Sequence, residues 1–190
     1  MDLQNRIENY ILETKYPRSL FIGDDERICG TWIMGNNYKV KSGYYGGYPA
    51  GYLKRIKALF PDKKSILHLF SGKVELDILN GKCVDINKEN NPDYIDDAQT
   101  LENVPIEDFD LILADPPYSV EDCEHYQTTM IKRNKVMKAL GQKAKRGTHV
   151  VWLDQVLPMY KKSEWKIEGV IGMVKSTNHR FRVITIFNKL

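Results

Sequence analysis

The 190-residue chain lacks several features that would place it in a specialised class of proteins. No apolar run approaches the roughly 18 residues that a membrane-spanning helix needs, and the N-terminus contains no signal-peptide core. We therefore expect a cytoplasmic protein without a membrane partner. The three cysteines, Cys29, Cys83 and Cys123, form neither a disulfide nor a metal-binding pattern, which indicates a reducing compartment and no metal site.

The formal net charge is only +3, because 28 Lys and Arg nearly balance 25 Asp and Glu. The positive charges are nevertheless unevenly distributed along the chain. Residues 131–147 carry seven Lys or Arg and no acidic residue, and residues 53–64 form a second basic patch. Lys and Arg neutralise backbone phosphates whatever the base sequence. The long basic segment therefore indicates either a nucleic-acid-binding surface or a solvated helix face.

Short apolar runs alternate with helical or loop segments along the whole chain, which predicts a single α/β domain over residues 1–190. The pattern predicts helices at residues 2–14 and 49–61, a mostly helical segment at residues 121–144, and loops at residues 30–48. It predicts strands at residues 65–70, 83–86, 109–115, 148–154, 165–174 and 181–189. Continuous apolar strands of this kind form mostly parallel sheets that are covered on both faces. The last two strands are close in sequence, so we expect them to pair antiparallel.

Small and acidic residues follow the predicted strands, at the ends where parallel sheets bind ligands. Ser71 and Gly72 form a turn that lets the backbone approach a ligand closely. Asp85 is suited to accept both hydroxyl groups of a ribose, and Asp97 could accept from an adenine amine.

The stretch "DPPY" (115–118) ends a buried apolar strand with an acid, two rigid residues and an aromatic ring. The exocyclic amine of a nucleobase is a poor nucleophile, so an enzyme that methylates it must hold and orient it. Asp115 could accept one amine hydrogen, and the carbonyl of Pro116, held in place by Pro117, could accept the other. Tyr118 offers a flat face for stacking of the base.

The motif resembles that of S-adenosylmethionine-dependent DNA amino-methyltransferases, above all the N6-adenine enzymes of the Dam type. "GYYGGYPAGYLKRIKALFP" (43–61), "ILHLFSG" (66–72), "VDINKE" (84–89) and "STNHRFRVITIF" (176–187) are also similar to segments of this family. The resemblance implies a Rossmann-like class I methyltransferase fold, with a catalytic core at 43–190 and an N-terminal helix and loop extension at 1–42. It implies catalytic roles for Asp115, Pro116, Pro117 and Tyr118. It implies an S-adenosylmethionine site at Tyr44, Tyr45, Gly46, Gly47, Leu69, Phe70, Ser71, Gly72, Asp85, Ile86, Asp97 and Ala98.

The chain departs from the family pattern in two places. Only 12 residues separate Gly72 from Asp85, and Val74, Leu76 and Ile78 alternate there, so the usual helix is either shortened or replaced by a strand pair. There is no room for a large target-recognition domain. We therefore expect nucleic acid to bind short elements that include Lys132, Arg133, Lys135 and Arg180.

Three functions stay open on the sequence. The first is methylation of adenine N6 in DNA, which the resemblance favours because cytosine-specific members of the family more often carry Ser at the position of Asp115. The second is the same reaction on cytosine N4 or on adenine in RNA. The third is a non-catalytic nucleic-acid-binding partner of the same fold. We expect a monomer or homodimer of bacterial, phage or mobile-element origin.

Overall fold

The computed structural model of the protein describes residues 1–35, 47–72, 74, 76–118, 123, 130–175 and 180–190. Its described residues include the α-helices α1 (Leu3–Thr14), α2 (Tyr52–Leu59) and α3 (Arg133–Lys143), together with short 3-10 helices at Lys88–Asn90 and Ile106–Asp108. Its strands are β1 (Leu20–Ile22), β2 (Ile28–Met34), β3 (Ile66–Leu69), β4 (Lys82–Asp85), β5 (Tyr94–Ile95), β6 (Leu111–Ala114), β7 (His149–Asp154), β8 (Trp165–Lys175) and β9 (Phe181–Lys189). Within these described ranges, none of the helices has the length and apolar character needed to cross a membrane.

The nine strands form one sheet in the order β1-β2-β8-β9-β7-β6-β3-β4-β5. Strand β9 runs antiparallel to both of its neighbours, β7 and β8, and β1 runs antiparallel to β2. The other neighbouring pairs are parallel. The predicted fold class, a mostly parallel α/β sheet with an antiparallel C-terminal strand pair, is therefore confirmed.

Alternate residues of the central strands enter two different hydrophobic cores. Leu111 and Leu113 of β6 pack in a cluster with α1 and α2. Ile112 and Ala114 of the same strand pack in a second cluster with α3. Because side chains of a strand alternate between the two faces, helices cover both faces of the sheet.

The N-terminal extension contributes two strands that the sequence pattern does not predict. Residues 30–34, predicted as loop, belong to β2, which pairs with β8 along seven residues. Ile28, Trp32 and Met34 of this strand are buried, whereas Ile33 is exposed, as expected for a strand with one covered face. Gly30 permits the close approach of the neighbouring segment, because a Cβ there would lie 2.1 Å from the carbonyl oxygen of Ser19. The glycine is needed for packing here and does not mark a loop.

Two further segments are more irregular than the sequence pattern indicates. The predicted mostly helical segment at residues 121–144 is interrupted at residues 130–132, and α3 begins at Arg133. The strand pair suggested after Gly72 is also absent from the described residues there, since residues 76–79 form turns and a bend. The connection from β3 to β4 is thus short and irregular in its described part.

Candidate active site

The carboxyl ends of the parallel strands meet at one edge of the sheet, and the order of the strands reverses there. After β3, strands β4 and β5 are added in turn on one side of β3. The chain then returns, and β6 lies on the other side of β3. Such a switch point creates a crevice between the two central strands, where open α/β sheets bind their ligands. The segments that follow β3 and β6 border this crevice.

The turn after β3 has an unusual backbone conformation. Phe70 and Gly72 both adopt positive φ angles, of 57° and 52°, although only glycine does so at little cost. The Ser71 amide donates to the Val84 carbonyl at 3.1 Å, and the Ser71 side chain is buried. Leu69, the last residue of β3, is fully buried. This turn therefore exposes backbone rather than a long side chain at the crevice.

Asp85, at the end of β4, organises the neighbouring backbone. Its Oδ2 accepts from the Gly72 amide at 2.8 Å, and its Oδ1 accepts from the Asn87 amide at 2.8 Å. A carboxylate has about four lone-pair sites, so each oxygen keeps capacity for a ligand hydroxyl. Ile86 and Ile95 beside it are more than half exposed, which leaves apolar surface next to this acid.

Asp97 lies in the loop after β5, and its carboxylate is engaged within that loop. It accepts from the Gln99 amide at 2.9 Å. The side-chain oxygen of Gln99 in turn accepts from the Lys132 amide at 2.9 Å, which ties this loop to the start of α3. Ala98 is buried in the core on the α3 face of the sheet.

The four residues after β6 lie at the centre of the crevice edge. Pro116 and Pro117 are buried, whereas Asp115 and Tyr118 are half-buried. The Tyr118 hydroxyl donates to Oδ1 of Asp115. Burial, and then the negative charge of Asp115, raise the pKa of Tyr118 well above its ordinary value, so the phenol stays a hydrogen-bond donor.

Tyr48, Tyr52 and His68, which were not among the predicted site residues, form an aromatic cluster within electrostatic range of Asp115. Tyr48 stacks on Tyr52 with ring centroids 5.2 Å apart, and its hydroxyl lies 3.3 Å from Nδ1 of His68. The other ring nitrogen of His68 lies 3.1 Å from the Leu79 carbonyl. Because a carbonyl only accepts, His68 carries its proton on Nε2, and Tyr48 donates to Nδ1.

Electrostatics connect this cluster to the acid. Burial lowers the pKa of His68 from 6.5 to about 4, which keeps the imidazole neutral. Burial raises the pKa of both Tyr48 and Tyr52 well above the ordinary value, and the charge of Asp115 adds to both shifts. The Tyr52 hydroxyl is fully buried and has no hydrogen-bond partner among the described residues.

Asp154, at the end of β7, forms a buried ion pair with the first residue of α3. Arg133 donates through Nε at 2.6 Å and through Nη2 at 3.1 Å, and the carboxylate is fully buried. The Trp152 indole and the Gln155 amide donate to the same carboxylate at 3.0 and 2.7 Å. The pair anchors α3 to the sheet, so Arg133 differs from its neighbours in the basic segment.

The remaining predicted site residues fall into two groups. Lys132, Lys135 and Arg180 are exposed, as a surface that contacts phosphates requires. Gly47 is exposed at the start of the segment that leads into α2. The other three predicted residues of that segment, Tyr44, Tyr45 and Gly46, lie outside the described residues. Among the residues that the structure describes, no group of three His, Cys, Asp or Glu could hold a metal ion.

Comparison with known proteins identifies the fold. No family model and no curated protein matches the sequence. TrmN from Thermus thermophilus matches the structure with a TM-score of 0.51 at 14% identity, over 66% of this chain and 44% of that one. The N-methyltransferase NodS from Bradyrhizobium japonicum WM9 matches with a TM-score of 0.47 at 11% identity, over 72% of this chain and 92% of that one. This chain therefore spans less than half of the TrmN chain. The strand order and the likeness to TrmN together show that the protein has the Rossmann-like fold of methyltransferases.

Proposed function

We propose that the protein transfers a methyl group from S-adenosylmethionine to the N6 amine of adenine in DNA. The observation that carries this proposal is the position of the "DPPY" segment. It follows β6 directly at the switch point, next to the turn after β3, and the charge of Asp115 contributes to the raised pKa of the buried Tyr52. A cofactor and an extruded base would therefore meet at Asp115.

The residues at the ends of β3 and β4 suit S-adenosylmethionine. Asp85 keeps lone pairs for the two ribose hydroxyls, while its contact with the Gly72 amide holds the turn after β3 open for close approach. The exposed faces of Ile86 and Ile95 offer apolar cover for the adenine ring. When bound, the cofactor supplies an electrophilic methyl group on a sulfonium centre.

Asp115 and Pro116 would prepare the target amine. The Asp115 carboxylate accepts one amine hydrogen and the Pro116 carbonyl accepts the other, so that the nitrogen lone pair turns toward the methyl group. As the nitrogen–carbon bond forms and the carbon–sulfur bond of the sulfonium breaks, the nitrogen must release a proton, which Asp115 would receive. The Tyr118 hydroxyl already donates to Oδ1 of this carboxylate, and a carboxylate has about four lone-pair sites that can accept hydrogen bonds.

The exposed cations of the basic segment support a nucleic-acid substrate. Lys132 and Lys135 lie at the start of α3, which the Arg133–Asp154 pair attaches to the end of β7, close to the crevice edge. Phosphates of a duplex that delivers its base to Asp115 could contact them.

The experiment that tests the proposal incubates the protein with labelled S-adenosylmethionine and a panel of unmethylated duplex DNA, single-stranded DNA and RNA. Hydrolysis to nucleosides and mass spectrometry then identify the methylated base. We expect N6-methyladenine from DNA. Label in N4-methylcytosine or in RNA adenosine would support methyl transfer from S-adenosylmethionine to an amine but would assign a different substrate. Cofactor binding without transfer to any nucleic acid would contradict the proposal.

A further inference from the structure

Arg182 lies at the crevice edge although it is distant in sequence from the catalytic segment. It belongs to β9, where it faces Met173 of β8, and the next residue, Val183, pairs with Asp154 at the end of β7. Because β9 runs antiparallel to β7, its first residues lie at the carboxyl ends of the parallel strands. The register of the sheet thus places Arg182 near the "DPPY" segment.

The guanidinium group of Arg182 covers the ring of Tyr118. The distance from Cζ to the ring centroid is 4.4 Å, within the range of a cation–π interaction. The Nε atom of Arg182 is buried and has no hydrogen-bond partner among the described residues. A cation shielded from water in this way is attracted to an aromatic face more strongly than an exposed one.

Arg182 differs in this respect from the cations that suit phosphates. Lys132, Lys135 and Arg180 are exposed, whereas Arg182 is half-buried. A phosphate contact needs donors that face the solvent, where the nucleic-acid backbone runs. The guanidinium of Arg182 instead lies against a side chain of the protein itself.

We propose that Arg182 is a positioning residue that fixes the ring of Tyr118 as the stacking platform for the substrate base. This inference rests on the proposed function. Two rotatable bonds connect the Tyr118 ring to the backbone, and the hydroxyl contact with Asp115 restrains the far end of the ring. The guanidinium lies over the ring and so restrains the plane on which, in the proposed function, the base stacks.

The consequence for catalysis is geometric. A base that stacks on a mobile ring presents its amine to Asp115 in fewer productive orientations, and small misplacements of reacting groups lower rates strongly. Replacing Arg182 with Gln should therefore reduce kcat about ten- to a hundredfold. Affinity for S-adenosylmethionine should change less than about twofold, because the residue lies on the substrate side.

The test compares Arg182→Gln with Arg182→Lys and with a matched control, Arg27→Gln. Arg27 pairs with the exposed Asp25 just before β2, at the opposite edge of the sheet, so the same chemical change there should leave activity unaltered. Methyl transfer to mixed-sequence unmethylated duplex DNA gives kcat and KM. Arg182→Lys retains a cation over the ring and should recover part of the lost kcat.

Salt dependence separates positioning from phosphate binding. If Arg182 positions Tyr118, the slope of log affinity for DNA against log salt should be equal in the wild type and in Arg182→Gln. A slope smaller by about 0.9 would identify a phosphate contact and overturn the proposal. Equal kcat in Arg182→Gln and Arg27→Gln would overturn it as well.

The contact between Arg182 and Tyr118 can also be tested without substrate. A double-mutant cycle of Arg182→Gln and Tyr118→Leu, followed by the unfolding midpoint, should show non-additive shifts because the two side chains interact. Additive shifts would overturn the contact itself. If the wild type transfers no methyl group, the proposed function fails, and this cycle still decides whether Arg182 restrains Tyr118.

Discussion

Replacing Arg133 with Gln should destabilise the protein much more than the same change at the exposed cations Lys132 and Lys135. Asp154 is fully buried and accepts four hydrogen bonds, two of which come from the Arg133 guanidinium. Removing one partner of a buried ion pair costs about 3–5 kcal/mol, since a charge stays buried without compensation. The Trp152 and Gln155 donors remain, so we expect the lower end, about 3 kcal/mol.

Equilibrium unfolding in urea, followed by circular dichroism, measures this change. For a chain of this length, a loss of about 3 kcal/mol corresponds to a decrease of roughly 6–12 °C in Tm. The exposed neighbour gives the matched control, because Lys135→Gln should stay within about 0.5 kcal/mol of the wild type. The double variant Arg133→Gln/Asp154→Asn should recover part of the loss, since it leaves no unpaired charge.

An Arg133→Gln protein as stable as Lys135→Gln would refute this reasoning. The ion pair would then contribute nothing, and Arg133 would be available for phosphate contacts like its neighbours. The expected result has a practical consequence for DNA binding. A loss of DNA affinity in an Arg133 variant would result from displacement of α3 and not from a lost phosphate contact. Phosphate binding therefore has to be tested at Lys132 and Lys135.

Three further predictions concern phosphate binding, cofactor binding and the pH dependence of stability. Changing Lys132 and Lys135 together to Gln should lower the salt slope of duplex binding by up to about 1.8 without altering which base is methylated; an unchanged slope would make them a solvated helix face. Asp85→Ala should weaken binding of S-adenosylmethionine by about 1.5–3 kcal/mol in calorimetry, and unchanged affinity would place the ribose elsewhere. His68 stays neutral when folded down to pH about 4 but takes up a proton near 6.5 when unfolded. The free energy of unfolding should therefore fall as pH decreases through this window, by up to about 1.4 kcal/mol per unit, and His68→Asn should lack this component.

The central strands and the main acids of the site are predictable from sequence because their signals are local. Continuous apolar runs mark β3, β6 and β7, and the rule that ligands bind at carboxyl ends then selects Asp85 and Asp115. Strands β1 and β2 give a weaker local signal. Gly30 interrupts the pattern of β2, and its partner β8 lies far along the chain.

The contacts that complete the candidate site could not be predicted from the sequence, because they join residues that are far apart along the chain. In the sequence, Arg133 is one of several cations in a predicted basic helix. Its pairing with Asp154 depends on the position of α3 against the end of β7. Arg182 meets Tyr118 because the register of β9 brings it to the crevice edge. His68 was expected as a core residue of its strand, but its hydrogen bond with Tyr48 depends on how the segment before α2 packs. These contacts arise from tertiary register, which no local pattern encodes.

The proposed role of Asp115 is tested most directly by comparing wild type and Asp115→Ala with labelled S-adenosylmethionine and unmethylated duplex DNA, with cofactor affinity measured on the same samples. In the proposed function Asp115 contacts the amine and not the sulfonium, so we expect N6-methyladenine from the wild type and none from Asp115→Ala, at cofactor affinities within about twofold. Methyl transfer by Asp115→Ala at the wild-type rate would contradict this role.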